Sequence, residues 1–146
     1  MGNCVALENN VKIIEDTDLK YLCEENPTCL FEIDTSGDMI YLNKAWTKIT
    51  GYNVAESLGK QWLNTVHPDD VERVAAKYFN HVNNKRDEYL EYRIICKNSS
   101  DVKWIYAVSN YKDEKHGHIG YLEDITKRKN IVSEILNIKM HAVSIS

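Results

Sequence analysis

No apolar run in the 146 residues approaches the ~18–20 needed to span a bilayer, and no secretory apolar core stands near the start. Cysteine is scarce too. Cys4, Cys23, Cys29 and Cys96 show no C-x-x-C spacing, so they read as reduced thiols of a cytoplasmic protein, three of them as small core hydrophobes. Basic charge is not in surplus: 18 Lys and Arg against 22 Asp and Glu give a net charge of -4, which argues against a nucleic-acid partner. The one dense cationic run, Lys127-Arg128-Lys129, is short enough to be a solvated boundary. Enzyme signatures are missing as well, with no G-x-x-x-x-G-K-[ST] loop, no G-x-G-x-x-G turn and no nucleophile motif. A phosphoacceptor histidine would need its own helical hairpin, which the surroundings of His141 do not supply. A non-enzymatic chain is expected. It has no internal repeat and no low-complexity segment.

What is present suffices for one soluble domain: 43% hydrophobic and 27% charged residues can bury a core without disulfides or a metal. Glu15 to Glu25 reads as a short helix with Leu19, Leu22 and Cys23 on one face, Asp16 or Thr17 as its cap and Pro27 as its stop. Cys29–Asp34 and Met39–Leu42 read as a hairpin around Thr35-Ser36-Gly37-Asp38. Asn43 is placed to cap a short helix ended by Gly51, and another helical turn or two runs from Val54 to Leu58. His67-Pro68-Asp69-Asp70 has the chemistry of a helix start, with proline at N1 and carboxylates in the first turn. The stripe Val71, Val74, Ala75, Tyr78, Phe79, Val82 continues that helix. Three strand-like runs follow, Glu88–Cys96, Val102–Tyr111 and His118–Asp124, and their short links imply an antiparallel meander.

After Asp124 the apolar period changes. Ile131, Ile135, Ile138, Ala142 and Ile145 recur at heptad spacing, so a folded domain gives way there to a helical linker. The expected division is an extension over 1–14, a domain over 15–126, and a linker helix or the start of a coiled coil over 127–146. That tail either folds back on the sheet or pairs with a second copy; a homodimer is the favoured expectation. Met1-Gly2-Asn3-Cys4 looks like an acylated start, but Ala6 stands where the motif wants Ser or Thr, so a plain start is preferred.

Eight short patterns now fall in one order. They are Phe31-Glu32-Ile33-Asp34 with Gly37; Tyr41-Leu42-Asn43 with Trp46; Ile49-Thr50-Gly51-Tyr52; Leu58-Gly59-Lys60 with Trp62; Val66-His67-Pro68-Asp69-Asp70; Glu91-Tyr92-Arg93; Val102-Lys103-Trp104-Ile105; and Gly120-Tyr121 with Asp124-Ile125-Thr126. Across residues 18 to 130 the sequence resembles a PAS domain, the sensor module of many signalling proteins. The resemblance implies an α+β fold: a five-stranded antiparallel sheet in the order 2-1-5-4-3, helices cupped over one face, and flanking helices at both ends. It also implies a cup that holds a small molecule in many members. Phe31, Ile33, Leu42, Ile49, Leu58, Trp62, Leu63, Val74, Tyr78, Ile94, Tyr106, Val108 and Leu122 are the expected lining; the alternative is that they only fill the core.

Departures from specialised branches narrow the cofactor. Trp62 stands where flavin photosensors carry a reactive cysteine, which argues against a flavin adduct. Haem members ligate iron from the long helix, where His81 is the candidate, but its place at the flank of the stripe favours a surface or boundary histidine. The expectation is no cofactor or a small metabolite, with haem ranked below. His67 belongs to the helix start, His116 and His118 are expected as solvated loop histidines rather than a metal pair, and Asp69 and Asp70 as dipole partners. No metal site is expected. Asp124, Ile125 and Thr126 resemble the family's hinge: Thr126 capping the exit helix, Asp124 anchoring the strand end to the Trp104 N–H or to Arg93. The resulting functional expectation is a sensory input domain of the two-component type that passes a signal to a C-terminal effector, such as a histidine kinase or diguanylate cyclase. The alternative is a ligand-free dimerisation or interaction module.

Overall fold

Residues 15–145 are described by the structure, a computed structural model. Helix α1 (Asp16–Glu25) leads into β1 (Cys29–Ile33), and β2 (Met39–Leu42) returns beside it. Between them Asp34 Oδ1 accepts the Ser36 and Asp38 amides at 3.0 and 2.9 Å, and Gly37 takes the φ of +86° that the tight reversal needs. Helix α2 (Ala45–Thr50), two 3-10 turns (Ala55–Ser57 and Gln61–Thr65) and α3 (Pro68–Asn83) make the helical middle. The meander β3 (Glu88–Ile95), β4 (Val102–Asp113) and β5 (Gly117–Asp124) closes the domain, and α4 (Thr126–Ile145) leaves from its end. The five strands form one antiparallel sheet in the order β2-β1-β5-β4-β3. The α+β architecture is the one the resemblance implies.

The core lies between one sheet face and the helical middle. Cys29, Phe31, Ile33, Met39, Leu42, Tyr92, Ile94, Ile105 and Leu122 meet Trp46, Trp62, Val66, Val74 and Tyr78 there. Helix α3 inserts Val74 and Tyr78 and leaves Phe79 41% exposed, so its buried stripe is narrower than the sequence pattern. Each fully buried large apolar side chain contributes about 1.5–3 kcal/mol. Gly120 on the central strand β5 sits where a Cβ would fall 1.9 Å from the Val108 carbonyl oxygen and 2.6 Å from the Phe31 ring. Its bare backbone lets Phe31 lie across the strand.

Several expectations are corrected. Asn43 is not a side-chain cap for α2. It is fully buried; its oxygen accepts the Leu30 amide, and its nitrogen donates to the carbonyls of Cys23, Asn26 and Thr28 at 2.7, 3.2 and 2.9 Å. It thereby pins the α1–β1 connection to the sheet. Helix α1 buries none of its own residues: Leu19 and Leu22 are half-exposed and Cys23 is exposed, while Cys29 and Cys96 are buried. Cys4 and the acylation-like start lie outside the described residues.

Helix α4 does not fold back on the sheet. Every residue from 130 to 143 is exposed, and the root of the helix is the part held to the sheet. Among the described residues no helix is long and apolar enough to cross a membrane.

Candidate functional site: a cavity walled by helix α3

A cavity of about 50 Å³ lies between the sheet and α3. Phe31, Ile33 and Met39 border it from the hairpin, Glu88, Leu90 and Tyr92 from β3, Ala107 and Ser109 from β4, and Leu122 from β5. Trp46, Trp62, Tyr78 and His81 close it from the helical side. The free volume is room for a water or two, or for a very small molecule.

Of the expected lining, Phe31, Ile33, Trp62, Tyr78 and Leu122 border the cavity. Leu42, Val74 and Ile94 are buried in the core beside it, and Ile49, Leu58 and Leu63 are half-buried at the core's edge. Tyr106 and Val108 are misplaced by one residue of register. The strand presents Ile105, Ala107 and Ser109 to the helical side, so Tyr106 and Val108 belong to the opposite face.

Two buried polar atoms of the wall residues have no hydrogen-bond partner among the described residues. Trp62 Nε1 and the Tyr78 hydroxyl are buried and unbonded, in residues only 6% and 3% exposed. Their rings meet edge to face at 5.0 Å. The Trp62 N–H approaches the phenol oxygen as a donor but falls outside full hydrogen-bond geometry. Burial first, then the nearby Asp38 carboxylate, pushes the Tyr78 hydroxyl's pKa well up, so it stays a neutral donor. Trp46 shows the contrast, its indole N–H donating to Ser57 Oγ at 2.8 Å.

His81 is buried, not at the surface. Its side chain turns to the sheet because partners wait there: Nε2 lies 3.1 Å from Ser109 Oγ, and the His118 ring is 4.7 Å away, edge to face. Nδ1 faces the Lys77 carbonyl at 3.3 Å. A carbonyl only accepts, so the proton sits on Nδ1 and Nε2 accepts from Ser109. Burial lowers the His81 pKa, with a smaller push from His118. With both nitrogens engaged, the site does not fit haem. His118 is likewise buried, not in a solvated loop; it donates from Nε2 to the Arg86 carbonyl at 2.9 Å, leaving Nδ1 buried without a partner among the described residues. His116 pairs with Asp113 at 2.8 Å, apart from it. Among the described residues no group of three His, Cys, Asp or Glu side chains is placed to hold a metal ion.

At the other end of α3, His67 and Pro68 make the helix start. Asp69 sits in the first turn, but Asp70 does more than meet the dipole. It is 5% exposed and takes a bidentate grip from Arg93 on β3, with Nη2–Oδ1 at 2.7 Å and Nε–Oδ2 at 3.0 Å, plus the Arg93 amide at 2.8 Å. The Arg93 side chain holds the Asp70 carboxyl down at about 2. Arg93 is therefore not available to Asp124. Its guanidinium instead lies 5.4 Å over the Trp104 ring, whose centroid is 4.5 Å from Lys129 Nζ of α4. Lys129 also pairs with Glu91 at 2.8 Å.

The exit hinge reverses the expected roles. Thr126 Oγ1 accepts the Trp104 amide at 2.9 Å, while Asp124 Oδ1 accepts the Thr126 amide at 3.0 Å and so caps α4. Ile125 is buried and donates its amide to the Trp104 carbonyl.

Comparison with known proteins completes the picture. The family described as the PAS fold matches residues 39–125. The chain belongs to the PAS family. This PAS domain is 25% identical over 119 residues to the uncharacterized protein y4lL of Sinorhizobium fredii, covering 79% of the chain and 14% of that protein. It is 27% identical over 144 residues to Sporulation kinase C of Bacillus subtilis, covering 88% of the chain and 32% of the kinase. The chain thus spans less than a third of the length of either relative. A sensory box histidine kinase/response regulator from Burkholderia thailandensis has a similar structure, with TM-score 0.62 and 24% identity, over 88% of this chain and 98% of that one.

Proposed function

We propose that this PAS domain is the sensory input of a longer signalling protein: a small ligand in the cavity biases α3, and α4 passes the change to a C-terminal effector such as a histidine kinase or diguanylate cyclase. The observation that carries this reading is a continuous set of contacts from the cavity wall to the exit helix. Helix α3 bears Tyr78 and His81 on the wall and Asp70 at its start; Asp70 grips Arg93, Arg93 and Lys129 share the Trp104 ring, and Lys129 belongs to α4. A ligand that draws α3 toward the sheet or away from it acts on the hold at the root of α4. The sporulation kinase among the relatives supports a kinase as the class of effector.

Amide exchange tests the route. Replacing Arg93 by Gln should speed exchange at residues 126–130 as well as at the start of α3. Loosening confined to α3 would sink the relay.

A second reading rests on α4. Ile131, Ile135 and Ile138 are 46%, 48% and 69% exposed along one seam, a face that a second copy would cover as a parallel coiled coil. The domain then acts as a homodimerisation module, with or without a ligand. Sedimentation equilibrium should give a dimer that Ile135→Asp converts to monomer; a monomeric parent chain at high micromolar concentration removes this reading.

A further inference from the structure

Two imidazoles meet in the interior at the far end of helix α3, and neither has a place for a second proton. His81 of α3 and His118 of β5 are 5% and 2% exposed, with their rings edge to face at 4.7 Å. They continue a line of rings in contact, Trp62 to Tyr78 at 5.0 Å, Tyr78 to His81 at 5.5 Å and His118 to Tyr111 at 5.3 Å. We propose that this histidine pair makes the domain a proton sensor: in a mildly acidic medium His81 takes up a proton, and the last turn of α3 leaves the sheet. This input acts on the same helix as the ligand of the reading above and requires no occupant of the cavity.

The hydrogen bonds give the switch its direction. In the neutral pair His81 Nδ1–H donates to the Lys77 carbonyl, and Nε2 accepts from Ser109 Oγ at 3.1 Å. A proton on Nε2 makes that nitrogen a donor, and the Ser109 hydroxyl proton loses its acceptor. His118 gives no relief. Its Nε2 already donates to the Arg86 carbonyl, and its Nδ1 has no partner among the described residues, so a proton there would be buried without an acceptor. A charge on either ring would also stand against the other with water excluded.

The charged groups around the pair do not hold a proton inside. From β3 the Glu88 carboxylate favours a charged His81, but Lys77 pairs with it at 3.8 Å. Beside His118, Asp34, Lys85, Asp113 and Glu114 border a second small hollow. There Lys85 holds Glu114 at 2.9 Å, His116 holds Asp113 at 2.8 Å, and Asp34 accepts the Ser36 and Asp38 amides. Burial outweighs these attractions and keeps the closed His81 neutral. The proton therefore binds when the ring reaches water, so uptake and opening are one event. The start of α3 does not follow, because the Arg93 side chain keeps Asp70 ionised down to about 2. The helix pivots on its first turn.

Amide exchange of the full chain, corrected for the intrinsic rate at each pH, reads the opening. An imidazole in water has a pKa of about 6.5, so the open population should grow about 25-fold from pH 7 to pH 5. That increase should appear at residues 79–84 and be nearly absent at residues 71–74. Nitrogen-15 spectra of the imidazoles should show His81 neutral at pH 7 with its proton on Nδ1; a proton on Nε2 would overturn the proposal. His81→Phe should hold the corrected exchange at residues 79–84 flat between pH 7 and 5. Where that variant does not fold, His81→Gln serves instead, since it cannot titrate yet keeps an acceptor for Ser109. Acid loosening as large in either variant as in the parent overturns the proposal, as does a parent whose residues 79–84 are equally protected at pH 5. An increase of the same size in β1 and at the start of α3 reports global unfolding and overturns it too.

Discussion

Helix α3 is fastened to the sheet at both ends, but by opposite chemistry. Its first turn is held by charge, Asp70 in the fork of Arg93. Its last turns are held by neutral groups, His81 accepting from Ser109 and packed against His118. A carboxylate paired with a guanidinium gains from being ionised, whereas a buried imidazole bonded through its bare nitrogen gains from staying neutral. The difference teaches that one helix has two acid thresholds. For Asp70, whose pKa falls on folding to about 2, the stabilisation is full above the unfolded value of about 4 and disappears as pH falls toward about 2. For His81, also lowered on folding, the stabilisation is full above about 6.5 and erodes as pH falls below that. The cavity end of α3 therefore loosens first.

The largest test of this contrast is Asp70→Ala. It should cost about 3 kcal/mol in denaturant unfolding at pH 7, the low end for breaking a buried ion pair, because the Arg93 side chain keeps 29% of its exposure. A loss below about 1 kcal/mol would make the two ends equivalent.

His81→Phe should flatten the stability profile between pH 7 and 5 and leave the fall below pH 4 in place. A profile still sloping between pH 7 and 5 would assign that slope to another group. Ser109→Ala, which removes only the hydroxyl donor to His81, should cost about 1 kcal/mol in denaturant unfolding above pH 7. The smallest effect belongs to Lys129→Ala. Its cation–π contact and exposed ion pair are together worth under about 1 kcal/mol, so global stability should barely move while amides at the root of α4 exchange faster.

The fold was readable in the sequence because its punctuation is local. Gly37 marks the hairpin, His67-Pro68-Asp69-Asp70 opens α3, and short polar links force the meander. The site was less readable. Strand β4 carries Trp104, Ile105, Tyr106, Ala107 and Val108 in succession, apolar on both faces, so alternation gives no parity. Bulk was a poor guide as well, since the small Ala107 and Ser109 face inward and leave the space that becomes the cavity. His81 sits at the flank of its helical stripe, but its partners lie on β4 and β5, and nothing local announces them. Asp70 illustrates the same limit: a carboxylate in a first turn already has a sufficient local explanation, which conceals its tertiary partner 23 residues away. Gly120 stood in a recognised pattern, yet only the register shows that its missing side chain admits Phe31.

Helix α4 is 20 residues long, about 30 Å from root to tip, and is gripped by the sheet near Thr126 and Lys129. It is a lever with its fulcrum at the sheet. A tilt of about 10° at the root swings the tip by about 5 Å, roughly the rise of one helical turn.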